Sequence, residues 1–235
     1  MPHTPIYYGL LALLAIALLF AMGTDLRHRR IDNWLNAAVA LAAPLFWWAG
    51  GLSVWPDIAA HVAVAVLVFG IAAGLFAVGQ MGGGDVKLIA ALALWFPASL
   101  FLNMLMIMAL IGYILTMGLG AMRVTRAGGL RSRDTLVLAA FSVVAGLLIA
   151  GFAGVVEMPL PQVLREAAGS SLPIAFLIFQ LPVIVLAYVS IHAIVIFRRR
   201  QVRVDAPYGL AISGAALWLI AGQFAGVPAL QGLAA

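Results

Sequence analysis

Apolar residues in this chain come in long runs broken by short clusters of charge, a pattern set by a solvent other than water. A hydrocarbon layer of roughly 30 Å takes about 20 apolar residues in helix. Runs of that size lie at 5–23, 34–50, 58–79, 135–156, 173–197 and 207–225. The stretch 88–122 is too long for one crossing and short for two. Pro97 divides it, because a proline donates no backbone hydrogen bond and disfavours helix in the residue before it. The expected result is a turn at Phe96, Pro97 and Ala98, with a short span before it and a full one after.

Charge supports the division. With two crossings, Arg27, Arg29, Arg30, Lys87, Arg123, Arg126, Arg131, Arg133, Arg198, Arg199, Arg200 and Arg203 share one side, and only Arg165 lies opposite. With one crossing the asymmetry of 12 against 1 becomes 5 against 8. Basic residues gather in cytoplasmic loops. The expectation is therefore an all-α polytopic membrane protein of about eight transmembrane helices, with both termini outside the cytoplasm. The loops 24–33, 80–87, 123–134 and 198–206 would face the cytoplasm. No basic residue precedes the first run and several follow it, so it reads as a retained span rather than a signal peptide.

Composition agrees: 65% of residues are hydrophobic and 9% charged, far from soluble averages. With no cysteine there is no disulfide and no thiolate zinc site. The net charge of +5 is read through the membrane, and no nucleic-acid partner is expected.

Ionisable groups near a bilayer are costly, so each is a candidate for function. Asp57, after Pro56, and Asp134, before the run at Thr135, are explained as helix caps. Glu157 and Glu166 fall in an external loop. Asp25 and Asp85 differ from these, since they stand at the cytoplasmic ends of two spans, at similar depth, in FAMGTDLRHRRIDNWLN and GQMGGGDVKLIAALALW. Two carboxylates sharing a site ionise unequally, so that one takes a proton from water while the other donates to a scissile carbonyl. Gly82, Gly83 and Gly84 would let the backbone approach an extended peptide. Asp85 would then stand at a helix N-terminus, which favours the carboxylate form.

These segments resemble the prepilin peptidases, the type IV leader peptidase family of GxGD-type membrane aspartic proteases. The resemblance rests on Gly82-Gly83-Gly84-Asp85-Val86-Lys87-Leu88, on DLRHRRIDNWLN beginning at Asp25, and on Pro207-Tyr208-Gly209-Leu210-Ala211-Ile212. It implies that Asp25 and Asp85 are the catalytic pair, cutting the leader of type IV prepilin-like precursors after a glycine on the cytoplasmic side. It also implies a bacterial inner-membrane location and no cofactor. Gly82, Gly83, Gly84 and Lys87 support the motif, and Asn33, Pro207, Tyr208 and Gly209 are candidate lining residues.

The chain departs from the family twice. Where the family reads Ile-Pro-Asn it has Ile31-Asp32-Asn33, which makes Asp32, two helical turns from Asp25, a rival acid; capping of the second span is the competing role. The second departure is 135–197, a two-helix insertion in a single membrane domain whose peptidase-like core is 1–122 and 207–235. Large relatives carry a cysteine-paired region linked to N-methylation; with no cysteine here, peptidase activity without that zinc-bearing element is expected.

Lys87 could tune the pair, bond Asp32 or Asp205, or mark the cytoplasmic interface. Arg198, Arg199 and Arg200 end a span at the headgroups, and Tyr208 suits an interfacial belt. His28, beside the Asp25 segment, reads as a solvated loop histidine, and His61 and His192 have no obvious second ligand nearby, so no metal is expected. The rival class is a proton- or ion-coupled transporter using the same carboxylates. Against it, no repeat relates the two halves of the chain, and the acids sit at one membrane face. A membrane scaffold is the third reading, and its acids would be dispensable.

Overall fold

A computed structural model describes residues 5–79, 81–126 and 207–225, together with isolated positions between 136 and 195. Every regular element among them is helical: α1 (Pro5–His28), α2 (Asn33–Gly50), α3 (Ala59–Ala77), α4 (Gly83–Ala93), α5 (Ala98–Arg126) and α6 (Tyr208–Ala225). The chain forms two compact units, Met1–Gly112 with Pro207–Ala235, and Tyr113–Ala206. The first contains everything discussed below. Asp134, Glu157, Glu166, Asp205, His192, Arg198, Arg199, Arg200 and the expected insertion 135–197 lie outside the described residues, apart from the isolated positions.

Four helical segments are long and apolar enough to cross a membrane: Pro5–His28, Val54–Ala77, Ala98–Gly120 and Tyr208–Ala225. The expected count of about eight rests additionally on α2, on the short α4 and on the two undescribed runs. Bulky apolar side chains such as Leu13, Leu41, Trp48 and Val66 face outward, as lipid-facing helices require.

Several helix ends follow from local chemistry. α1 runs beyond its apolar run to His28, so Asp25 lies on its last turn rather than in a loop. Arg27 and His28 suit the negative end of the helix dipole, and the Thr24 hydroxyl donates to the Ala21 carbonyl. Arg29 follows in the left-handed region, φ 55°, and its N–H donates to the Asp25 carbonyl at 2.9 Å. Asp32 does take the N-cap position of α2, but its carboxylate makes no capping bond. Asp57 bonds back to Ser53, accepting from the backbone N–H at 3.0 Å and the hydroxyl at 2.8 Å, which ties down the kinked turn Val54–Ile58 ahead of α3.

The division at Pro97 is present. α4 stops at Ala93, and α5 begins with the Phe101 N–H donating to the Pro97 carbonyl at 2.9 Å. Two indole bonds hold the C-terminal end of α4 against α2: Trp47 Nε1 donates to the Leu94 carbonyl at 2.7 Å, and Trp95 Nε1 to that of Val39 at 2.9 Å. The core lies where α1 packs on α6 and α2, with α4 against α2, α3 and α6. On α1 the buried positions are Leu11, Leu14, Leu18, Ala21 and Asp25, alternate steps of three and four that mark a single helix face. Asp25 therefore ends the stripe that the leucines begin.

Candidate active site

Burial on that stripe would be costly for a carboxylate without donors. α6 supplies them: the Leu210 N–H donates to Asp25 Oδ2 at 3.2 Å and the Gly209 N–H faces the same carboxylate, so the acid meets the free N–H groups of a helix start. The approach requires glycine. A Cβ at position 209 would lie 2.8 Å from Asp25 Oδ2, 2.9 Å from its Cγ and 2.7 Å from Ile31 Cδ1.

Asp85 is placed by the glycine run. Gly82 is the N-cap of α4, which puts Asp85 at the third helical position, where its side chain bonds back to the Gly82 N–H as in half of a capping box. A Cβ on Gly82 would come within 2.8 Å of Asp85 Oδ2, and one on Gly84 within 3.2 Å of the Ile31 carbonyl oxygen. Gly83 faces the Phe76 ring at ordinary contact distance. The glycines thus make room for this protein's own carboxylate and for its α1–α2 connection. Asn36, buried on α2, donates from Nδ2 to the Gly84 carbonyl at 3.2 Å, anchoring the turn.

Both acids line one cleft of about 320 Å³, with Arg29, Arg30, Ile31, Asp32, Asn33, Gly82, Gly83 and Gly84. Asp85 stands outside the four apolar spans, and its carboxyl is pushed up to about 6, first by burial and then by the charge of Asp25, against the opposing Gly82 N–H. The expected pull of the helix N-terminus toward the carboxylate form is outweighed, because desolvation and a second acid act in the other direction.

The remaining candidates divide. Asp32 lines the cleft but is exposed. Lys87 donates to Asn33 Oδ1 at 2.7 Å, joining α4 to the start of α2. Pro207, Tyr208 and Gly209 are not among the lining residues; the Tyr208 ring packs near Gly112 and Gly209 against Asp25, so the start of α6 backs Asp25 instead of walling the cleft. His61 is buried, with Nδ1 2.8 Å from the Asp57 carbonyl oxygen. Among the described residues no cluster of three His, Cys, Asp or Glu could hold a metal. Sequence reasoning passed over Ile31 and Asn36. Ile31 is the contact shared by Gly84 and Gly209, and it could have been noticed as the one apolar residue in a charged connection.

Residues 12–117 match the model of the type IV leader peptidase family. The matched segment is a little under half of the chain and contains both acids, the glycine run, Ile31 and Asn36. The match suggests type IV leader peptidase activity, and the apolar helices fit a membrane protein. α6, which supplies the donors to Asp25, lies beyond the match. No curated protein and no solved structure matches the chain.

Proposed function

We propose that this chain is an aspartic endopeptidase of the GxGD type that removes the leader of type IV prepilin-like precursors at the cytoplasmic face of a bacterial inner membrane, with both termini on the opposite side. The observation that carries the reading is the meeting of Asp25 and Asp85 in one cleft, with the Asp85 carboxyl raised by burial and by its neighbour. The basic residues following α1 and flanking Asp85 support the cytoplasmic side.

Asp85 holds the shared proton in this mechanism, and Asp25, braced by the α6 N–H groups, is the base. Asp25 takes a proton from a water whose oxygen attacks the scissile carbonyl, and Asp85 gives its proton to the carbonyl oxygen. In the resulting gem-diol, Asp85 recovers a hydroxyl proton as the carbonyl reforms. The C–N bond breaks, and Asp25 delivers its proton to the leaving amine, so both acids end as they began.

The test is processing of a co-expressed prepilin-like precursor by wild type, Asp25→Asn, Asp85→Asn and Asp32→Asn. The first two variants should leave the precursor intact, while Asp32→Asn should process it. Cleavage by either dyad variant would refute the pairing, and loss of cleavage with Asp32→Asn alone would transfer the role of Asp25 to Asp32.

A further inference from the structure

A second hollow, about 490 Å³, lies between α2 and α3 with α4 as its floor. Asn33 lines both this groove and the Asp25/Asp85 cleft, so the two adjoin at that side chain. Its polarity is graded. Asn33, Asn36 and Lys87 stand at the cleft end, and the rest is apolar, with alanines on all three helices that let another backbone come close.

One atom distinguishes between possible occupants. Asn36 is only 4% exposed and spends its Nδ2 on Gly84, yet its Oδ1 has no hydrogen-bond partner among the described residues. An unpaired buried acceptor is costly, and it is relieved by a donor. A peptide backbone brings N–H donors where its helix unwinds, whereas a lipid tail brings none.

We propose that this groove seats the membrane-inserted apolar helix of the peptide substrate, so that the chain unwinds past Asn36 and Asn33 and enters the cleft at the scissile bond. The inference rests on the peptidase reading above and adds the path by which a substrate anchored in the bilayer reaches the acids. It also assigns a role to the contact between Lys87 and Asn33, which frames the passage between groove and cleft.

The absence of cysteine makes a clean experiment available. A single cysteine is placed at Val66 or Ala37, exposed positions on opposite walls of the groove, or at Leu13 on the outer face of α1. Each variant is oxidised in membranes with a prepilin-like precursor that carries one cysteine in its apolar segment, and precursor cleavage is measured separately without oxidant. Adducts at Val66→Cys and Ala37→Cys, with none at Leu13→Cys, are expected. Ala37→Trp, which fills the groove, should raise KM for the anchored precursor at least tenfold while a soluble peptide spanning the scissile bond is still cut at the wild-type rate. Cleavage retained with no groove adduct, or with equal adduct at Leu13→Cys, would overturn the groove and leave the peptidase reading standing. A wild-type protein that cuts neither substrate would overturn the peptidase reading itself.

Discussion

Replacing Gly209 by alanine tests the site at its tightest point. The added Cβ would meet Asp25 Oδ2 at 2.8 Å, Asp25 Cγ at 2.9 Å and Ile31 Cδ1 at 2.7 Å. The Ile31 tip can rotate, but the carboxylate is held by the Leu210 N–H at 3.2 Å and by burial at the end of the α1 stripe. Ordinary contact begins near 3.4 Å, so the 2.8 Å approach forces a shift of about 0.6 Å in Asp25 or in the first turn of α6. Overpacking of this kind costs about 1–3 kcal/mol of stability. A misplacement of roughly 1 Å costs on the order of 100-fold in rate, so Gly209→Ala should lower kcat/KM for precursor cleavage by about 10- to 100-fold. The assay is steady-state cleavage in detergent beside thermal unfolding of the same samples. Gly23→Ala is the control: it lies on α1 close to Asp25 in sequence, its Cβ meets nothing within 4 Å, and it should keep full activity. Wild-type cleavage by Gly209→Ala would show that Asp25 does not need this backbone approach, and the placement of the base would fall.

Other consequences can be checked in the same assays. Asp85 must hold a proton to act as the acid, and its carboxyl titrates at about 6, so cleavage should fall as pH rises through that value, and Asp32→Asn should leave this limb unmoved. Because folding raises the Asp85 value, its contribution to stability is present below the unfolded-state value and is lost as pH rises through about 6. Asp85→Asn should therefore melt with less pH dependence than wild type over that window. Ile31→Ala empties the contact shared by Gly84 and Gly209 and should cost roughly 2–5 kcal/mol, with activity falling more steeply than that of a cavity far from the cleft, such as Leu14→Ala. Lys87→Met removes the bond to Asn33 at an exposed position, so its melting temperature should change little while KM for the anchored precursor rises.

How much of this was legible in the sequence varies with the residue. Asp25 and Asp85 could be chosen because a charged group at the end of an apolar run is conspicuous against its neighbours, and the Pro97 break was legible because proline acts on its own backbone. The purpose of the glycines was read only in part. Their freedom pointed to clearance for a peptide, but Gly82 clears the Asp85 carboxylate and Gly84 clears Ile31, contacts that a string of residues does not display. Asn36 reaches a carbonyl 48 residues away, and Leu210 reaches a carboxylate 185 residues away.

By itself the sequence determined which segments are helical and apolar and where they break, because the bilayer and proline both act on local chain length and local backbone. It also determined that the few carboxylates near the membrane stand at span ends. Only the tertiary structure decided which face of each helix is inside. In a soluble protein that face is marked by the contrast between apolar and polar residues; here the lipid-facing side of α1, with Leu13 and Ile16, is as apolar as the buried side, with Leu14 and Leu18. Asp25 joins the buried stripe where α6 brings donors to it, and the Asp85 carboxyl is raised because burial and Asp25 act on it together. Both are effects of distance in space, which no run of residues encodes.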